Sequence, residues 1–368
     1  MSNPFNLEAV CRIFSLNGEF VEYEQNTNGH INSTFILTFN EDGVKKKYIL
    51  QKISTEIFKN PEGLMNNIVG VTKHIRQKSE ALNIPWSDRC TLTFLPAIDG
   101  KYFYLDEENN CWRVYEFIDN VYTCNTIENL DDFYNAGVAF GEFQNLLSDY
   151  DSSTLVETIP NFHNTVSRFA DFKKAIDENL SGRLANVTDE VEFAIAREKD
   201  AHVLVDLIAD GKLPIRVTHN DTKLNNILFD NTNNKGICII DLDTVMPGLS
   251  LYDFGDSIRF GANTAAEDEK DLSKVSLSLP LYEAYVKGYL SSAKDALTDL
   301  EKELLPFGAK LMTYECGIRF LMDYLNGDKY FHTDYDEHNL VRARTQFALV
   351  ADIEKKMDEM LEITKKYC

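Results

Sequence analysis

Val217-Thr218-His219-Asn220-Asp221-Thr222-Lys223-Leu224-Asn225-Asn226-Ile227-Leu228-Phe229 decides the reading of this chain. A polar loop lies here between apolar strands, and His219-x-Asp221-x4-Asn226 has the spacing of a phosphoryl-transfer catalytic loop. That chemistry needs a carboxylate beside the acceptor hydroxyl to take its proton. It also needs an amide that curls back toward a metal on the phosphates. A second strand, Gly236-Ile237-Cys238-Ile239-Ile240, ends in Asp241-Leu242-Asp243. Carboxylates at a strand end suit Mg²⁺, which takes hard oxygen donors. In an extended chain, alternation predicts Asp241 and Asp243 on one face.

Upstream, the chain reads as strands. Phe35–Phe39 and Lys47–Ile53 flank Asn40-Glu41-Asp42-Gly43, whose Asp-Gly pair signals a hairpin. Lys101–Leu105 and Cys111–Tyr115 predict another. Pro61 opens a helical pattern with Leu64, Ile68, Val71 and Ile75 on one face. From Leu130 the chain is mainly helical, with further helices near Leu281, near Leu300 and from Leu340. The acidic run Glu267–Asp271 reads as a solvated helix start. The expected fold is α+β and two-lobed: a small β-rich lobe over 1–118, a hinge near Glu116–Asn120, and a large, mainly helical lobe over 119–368.

The 368 residues suffice for such a core without disulfide or metal staples. The net charge of −22 argues against binding to nucleic acid or anionic membranes. Seven scattered cysteines, no basic-plus-apolar leader and no long apolar run predict a cytoplasmic protein with free thiols. There is no G-x-x-x-x-G-K-[ST] and no G-x-G-x-x-G, which excludes P-loop and dinucleotide-binding readings.

The loop pattern resembles the aminoglycoside phosphotransferase and choline kinase superfamily, which is built like protein kinases. Thr218–Leu228, Ile240–Gly248, Asp253–Ala262, Glu267–Val275, Glu315–Leu321, Glu337–Arg342, Gly29–Asn32 and Tyr48–Gln51 resemble the N-acetylhexosamine 1-kinases of that superfamily. The resemblance implies ATP as phosphoryl donor, Mg²⁺ as cofactor and an N-acetylhexosamine, GlcNAc or GalNAc, as acceptor. Asp221 would be the catalytic base, with Asn226, Asp241 and Asp243 as metal ligands. Asn32, Ser33 and Thr34 would lie over the nucleotide phosphates, and Lys223 would neutralise the γ-phosphate. Backbone groups of Glu116, Phe117 and Ile118 would meet the adenine edge. His30, Arg259, Phe260, Arg319 and Tyr330 would join Asp221 around the sugar. A structural salt bridge competes for Arg259 and Arg319, and core packing competes for Phe260.

One position departs from the superfamily. Gln51 stands where a strand lysine is usual, and alternation turns Lys52 to the opposite face. The helix from Pro61 offers Asn66 and Asn67 instead of a partner acid. The α/β-phosphates would then be held by an amide, by Mg²⁺ or by another cation. A kinase of the same fold acting on an aminoglycoside, choline or homoserine is one alternative, and a non-catalytic nucleotide-binding regulator is another. The oligomeric state, monomer or dimer, is not encoded in these motifs.

Overall fold

The computed structural model describes residues 5–14, 16–26 and 32–368. The helix α1 (Leu7–Cys11) precedes the strands β1 (Glu19–Asn26), β2 (Ser33–Glu41) and β3 (Val44–Ile53). Asp42 (φ 50°) and Gly43 (φ 88°) join β2 to β3 in the left-handed conformation that a tight hairpin needs. The helix α2 (Pro61–Ala81) starts at Asn60, whose side chain accepts the Gly63 N–H at 3.0 Å, and Pro61 occupies its first turn. Short strands β4 (Phe94–Leu95) and β5 (Tyr104–Leu105) and the longer β6 (Cys111–Glu116) complete an antiparallel sheet. Its order is β1-β2-β3-β6-β4, with β5 also on β6.

The alternation of β3 sets the two faces of this sheet. Tyr48 and Leu50 pack with α1 residues, Phe35 and Trp112 in one core. Lys52 lies on that face, its Nζ 4.5 Å from the centre of the Phe5 ring. Ile53 packs on the other side, in the core that holds the apolar face of α2. Gln51 pairs in register with Arg113 of β6 and Thr34 of β2.

The strand β7 (Val121–Tyr122) follows the sheet and leads to the large helical lobe. There α3 (Leu130–Leu146), α4 (Thr165–Glu178), α5 (Thr188–Ile195) and α6 (Glu198–Ala209) precede the polar loop. The loop leaves β8 (Arg216–Thr218) and enters β9 (Ile227–Asp230), which pairs with β10 (Gly236–Ile239) and β7. β11 (Met246–Gly248) pairs with β8, so two small ribbons grip both ends of the loop. The helices α7 (Ser250–Gly261), α8 (Leu279–Ala293), α9 (Asp299–Asn326) and α10 (His338–Tyr367) close the fold. α3 and α8 pack backbone to backbone: a Cβ on Gly288 would stand 2.1 Å from the Tyr134 carbonyl oxygen.

Two local expectations are corrected. Glu267–Asp271 is not a helix start; it is a loop before a 3₁₀ turn at Leu272–Lys274, because its carboxylates are spent on tertiary partners. The strand before Asp241 ends at Ile239. Asp241 is left-handed (φ 59°), and Leu242–Thr244 forms a 3₁₀ turn, so strand alternation does not orient Asp241 and Asp243. Among the described residues no helix is long and apolar enough to cross a membrane. All seven cysteines are free thiols.

Candidate active site

The loop is shaped by buried polar contacts. His219 is fully buried, its Nε2 2.9 Å from the Ile240 carbonyl oxygen and its ring edge-on to Phe140 and Phe143. Asn220 takes φ 65°, and the side chain of Asp253, on α7, accepts both the His219 N–H (2.8 Å) and the Asn220 N–H (2.7 Å). Burial pushes the Asp253 carboxyl up to about 6. Asp256, one turn along α7, accepts the Thr222 N–H at 3.0 Å. The helix therefore holds both flanks of Asp221 through carboxylates.

Asp221 is left half-buried, facing two partners. Lys223 Nζ lies 2.9 Å from its Oδ1. Asn226 Nδ2 donates to its carbonyl oxygen at 2.8 Å and to its Oδ2 at 3.2 Å. The predicted base, amide and lysine thus form one cluster. Asp241 joins it electrostatically. Its side chain is open to water on one side, yet protein crowds it on the others. That desolvation, followed by the charges of Asp243 and Asp221, pushes its pKa up to about 6. Among the described residues no hydrogen bond or ion pair reaches its carboxylate.

Asp243 is differently placed. It is buried, and its carboxylate is paired with Arg113 and accepts from Asn32 Nδ2 at 2.5 Å. Arg113 is also buried, with Nε and Nη2 donating to Gln51 Oε1 at 2.9 and 2.8 Å. Gln51 Nε2 in turn donates to Thr34 Oγ1 at 3.0 Å. Ser33 pairs with Lys52 across β2 and β3. Nothing in the motifs singled out Arg113. Its partners lie 62 and 130 residues away; the strand register brings Gln51 to it, and the meeting of the two lobes brings Asp243.

At the lobe connection, the Glu116 N–H is bonded to the Thr93 carbonyl and the Phe117 N–H to the Lys47 carbonyl. Ile118 keeps an N–H without a partner among the described residues. His30 lies outside the described residues.

The residues expected around the acceptor divide into two kinds. Arg259 is buried, and its donors go to Asp256 (3.0 and 2.8 Å) and Glu267 (2.9 Å). It braces the carboxylate that holds the Thr222 N–H. Phe260 and Tyr330 are exposed aromatics, 38% and 67% accessible. Arg319 lies among the Phe162, Tyr330 and Phe331 rings, 3.9 Å from Glu315. Its guanidinium remains open to further acceptors. His163, expected at the surface or in packing, is buried with Nδ1 2.9 Å from Glu315 Oε1, and its Nε2 lies 3.4 Å from the Asn220 carbonyl oxygen. A cavity of ≈ 330 Å³ beside the loop is lined by His163, Asn220, Tyr252 and Met246–Gly248, and includes none of Asp221, Arg259, Arg319 or Tyr330.

The donor set fits a magnesium ion, which uses one or two carboxylates and keeps the rest of its shell for water and phosphate. Asp241 is an unpaired carboxylate and Asn226 offers a side-chain oxygen beside Asp221. Among the described residues no three His, Cys, Asp or Glu side chains form a closed metal cage.

Residues 22–289 match the phosphotransferase enzyme family. The whole chain also superposes on solved structures at low identity. An aminoglycoside phosphotransferase from Alicyclobacillus acidocaldarius gives a TM-score of 0.56 at 12% identity, covering 100% of this chain and 98% of that one. A choline/ethanolamine kinase family protein from Mesorhizobium loti gives 0.56 at 14%, covering 98% of each. A spectinomycin phosphotransferase in complex with ADP and spectinomycin gives 0.55 at 10%, covering 99% of each. These likenesses establish the two-lobed, protein-kinase-like fold.

Proposed function

The chain belongs to the phosphotransferase enzyme family, and from that premise we propose that it transfers the γ-phosphoryl group of ATP to the anomeric hydroxyl of an N-acetylhexosamine. The observation that carries the chemistry is the Asp221–Asn226–Lys223 cluster beside unpaired Asp241. Asp221 orients the acceptor hydroxyl and accepts its proton at the carboxylate. The anomeric hydroxyl is more acidic than an ordinary alcohol because the ring oxygen withdraws electron density, so a carboxylate suffices. Lys223, 2.9 Å from Asp221, would offset charge on the transferring group. Asn226 and Asp241 hold Mg²⁺, with Asp243 a further ligand if its pairing to Arg113 opens. Bound Mg²⁺ supplies charge neutralisation on the phosphates. The Ile118 N–H would meet the adenine edge, and Asn32–Thr34 would border the phosphates.

The sugar reading rests on the resemblance of the later sequence blocks. It is supported by the open aromatic Tyr330 beside the incompletely paired Arg319, the mixture of apolar wall and donors that a neutral polyol requires. Arg259 contributes indirectly, through Asp256 and the loop. A cationic acceptor such as an aminoglycoside or choline would call for accessible free carboxylates, whereas Glu267 is paired with Arg259 and Glu315 is buried against His163. The deciding assay follows ADP release from MgATP with N-acetylglucosamine, N-acetylgalactosamine, aminoglycosides, choline, ethanolamine, aminopropanol and homoserine. Turnover with the N-acetylhexosamines alone is expected. Turnover with an amine instead would keep the Asp221 chemistry and discard the sugar.

A further inference from the structure

The small lobe lacks a lysine at the position of Gln51, and among the described residues no α2 carboxylate pairs with the arginine of β6: the α2 side chain that contacts it is Met65, with Sδ 3.9 Å from Arg113 Nη1. One cation nevertheless occupies that face of the sheet. Arg113 sits opposite Gln51 in the ladder, and two of its nitrogens are fixed by the Gln51 carbonyl oxygen. Gln51 is itself fixed by Thr34, at the start of the strand that borders the expected phosphate turn. The third nitrogen reaches across the cleft to Asp243 of the large lobe. Arg113 also acts electrostatically on Asp241, so it stands within range of the expected metal site.

We propose that Arg113 is the small lobe's phosphate-binding cation, held by Gln51 as a positioning residue, and that its contact with Asp243 is the nucleotide-free partner it exchanges for a nucleotide phosphate. The exchange replaces one oxyanion on the guanidinium with another, so the guanidinium stays paired in both states. It also releases the Asp243 carboxylate when nucleotide arrives. Gln51 then holds no phosphate itself; its amide keeps the guanidinium aimed into the cleft in both states. The proposal rests on the ATP-dependent reading above.

The test measures binding of adenosine and of ADP by calorimetry in EDTA, so that metal coordination plays no part. The proteins are wild type, Arg113→Lys, Arg113→Met, Gln51→Leu and the double variant Arg113→Met/Asp243→Asn. The double variant removes both buried charges and so preserves folding if the single change does not. Loss of Arg113 is expected to weaken ADP by roughly ten- to a hundredfold while leaving adenosine unchanged. Arg113→Lys should fall between, and Gln51→Leu should weaken ADP less than Arg113→Met does. A purely structural arginine would change both ligands alike or neither, and ADP binding undiminished in a folded Arg113 variant would overturn the assignment. If wild-type protein binds neither ligand, the nucleotide reading fails first and this assignment falls with it.

Discussion

At the scale of single residues, the spacing His219-x-Asp221-x4-Asn226 singles out three side chains that lie together in the fold. The same three side chains are brought together by hydrogen bonds inside one loop, so their proximity is local in sequence. The role proposed for Asp221 has a direct consequence. Asp221→Asn keeps the size and the contact with Asn226 but removes the proton acceptor. It should lower kcat roughly 10²–10⁴-fold with an unchanged circular dichroism spectrum and KM for ATP. Full activity in that variant would remove Asp221 from the mechanism. Arg113 illustrates what the sequence could not disclose. Its partners are set by the register of β3 on β6 and by the closure of the two lobes, and neither is written in any short motif. Asp243 was legible as a carboxylate near the site, but its pairing was not. The left-handed backbone at Asp241 breaks the alternation on which its orientation was read.

At the scale of elements, hairpin, helix starts and helix faces were legible because they follow from turn chemistry and periodicity. The Asp42-Gly43 turn and the Pro61 helix both stand where those signals put them. The supports of the loop were not legible, since they are carboxylates on other elements. Glu301 is the clearest case. It lies in the first turn of α9, where it closes a capping box with Thr298, and it accepts from Arg216 of β8 at 2.6 and 2.7 Å and from Ser250 of α7 at 2.8 Å. One buried carboxylate thus joins the strand before the loop, the helix beneath it and the start of α9. Burial alone would raise its pKa, but Arg216, the Thr298 N–H and Ser250 hold it below the usual range. Glu301→Gln should destabilise the fold by about 3–5 kcal/mol at neutral pH, since it strands Arg216. A depressed carboxyl pKa adds stability above its unfolded value, about 4.3, and loses it as pH falls through the folded value. The gap between wild type and Glu301→Gln in urea midpoints should therefore be constant above about pH 5 and narrow below about pH 4. A gap that widens on acidification would show that Glu301 is not held ionised.

At the scale of the molecule, the two lobes meet through a few polar ties. Asn67 of α2 is buried, donates to the Val156 carbonyl (2.8 Å) and the Val245 carbonyl (3.0 Å), and accepts the Val156 N–H (3.0 Å). Sequence reading noticed this asparagine only as the absence of an acid. Its function in the fold is to fasten α2 to the segment leading from Asp243 to β11. Asn67→Ala leaves three backbone groups without their partner, the Val245 carbonyl buried and the two of Val156 part-buried, and should cost about 1–3 kcal/mol, seen as a lower thermal midpoint. It should also raise KM for ATP, because the cleft between the lobes loses a fixed wall; an unchanged midpoint would show that water replaces the amide without penalty. The acidic surface, at −22, and the two-lobed plan were legible from composition and from the change in periodicity near Glu116. The acceptor was not legible in the same sense: Arg319 and the Phe162 ring beside it meet only in the folded chain.

The most direct measurement of the central claim is a phosphorus NMR spectrum of the product made from MgATP and N-acetylglucosamine or N-acetylgalactosamine. The expected result is a sugar 1-phosphate, with the phosphorus coupled to the anomeric proton, and no signal from the Asp221→Asn protein. A phosphate on another hydroxyl would contradict the anomeric reading. ADP formed only with a non-sugar acceptor would contradict the sugar itself.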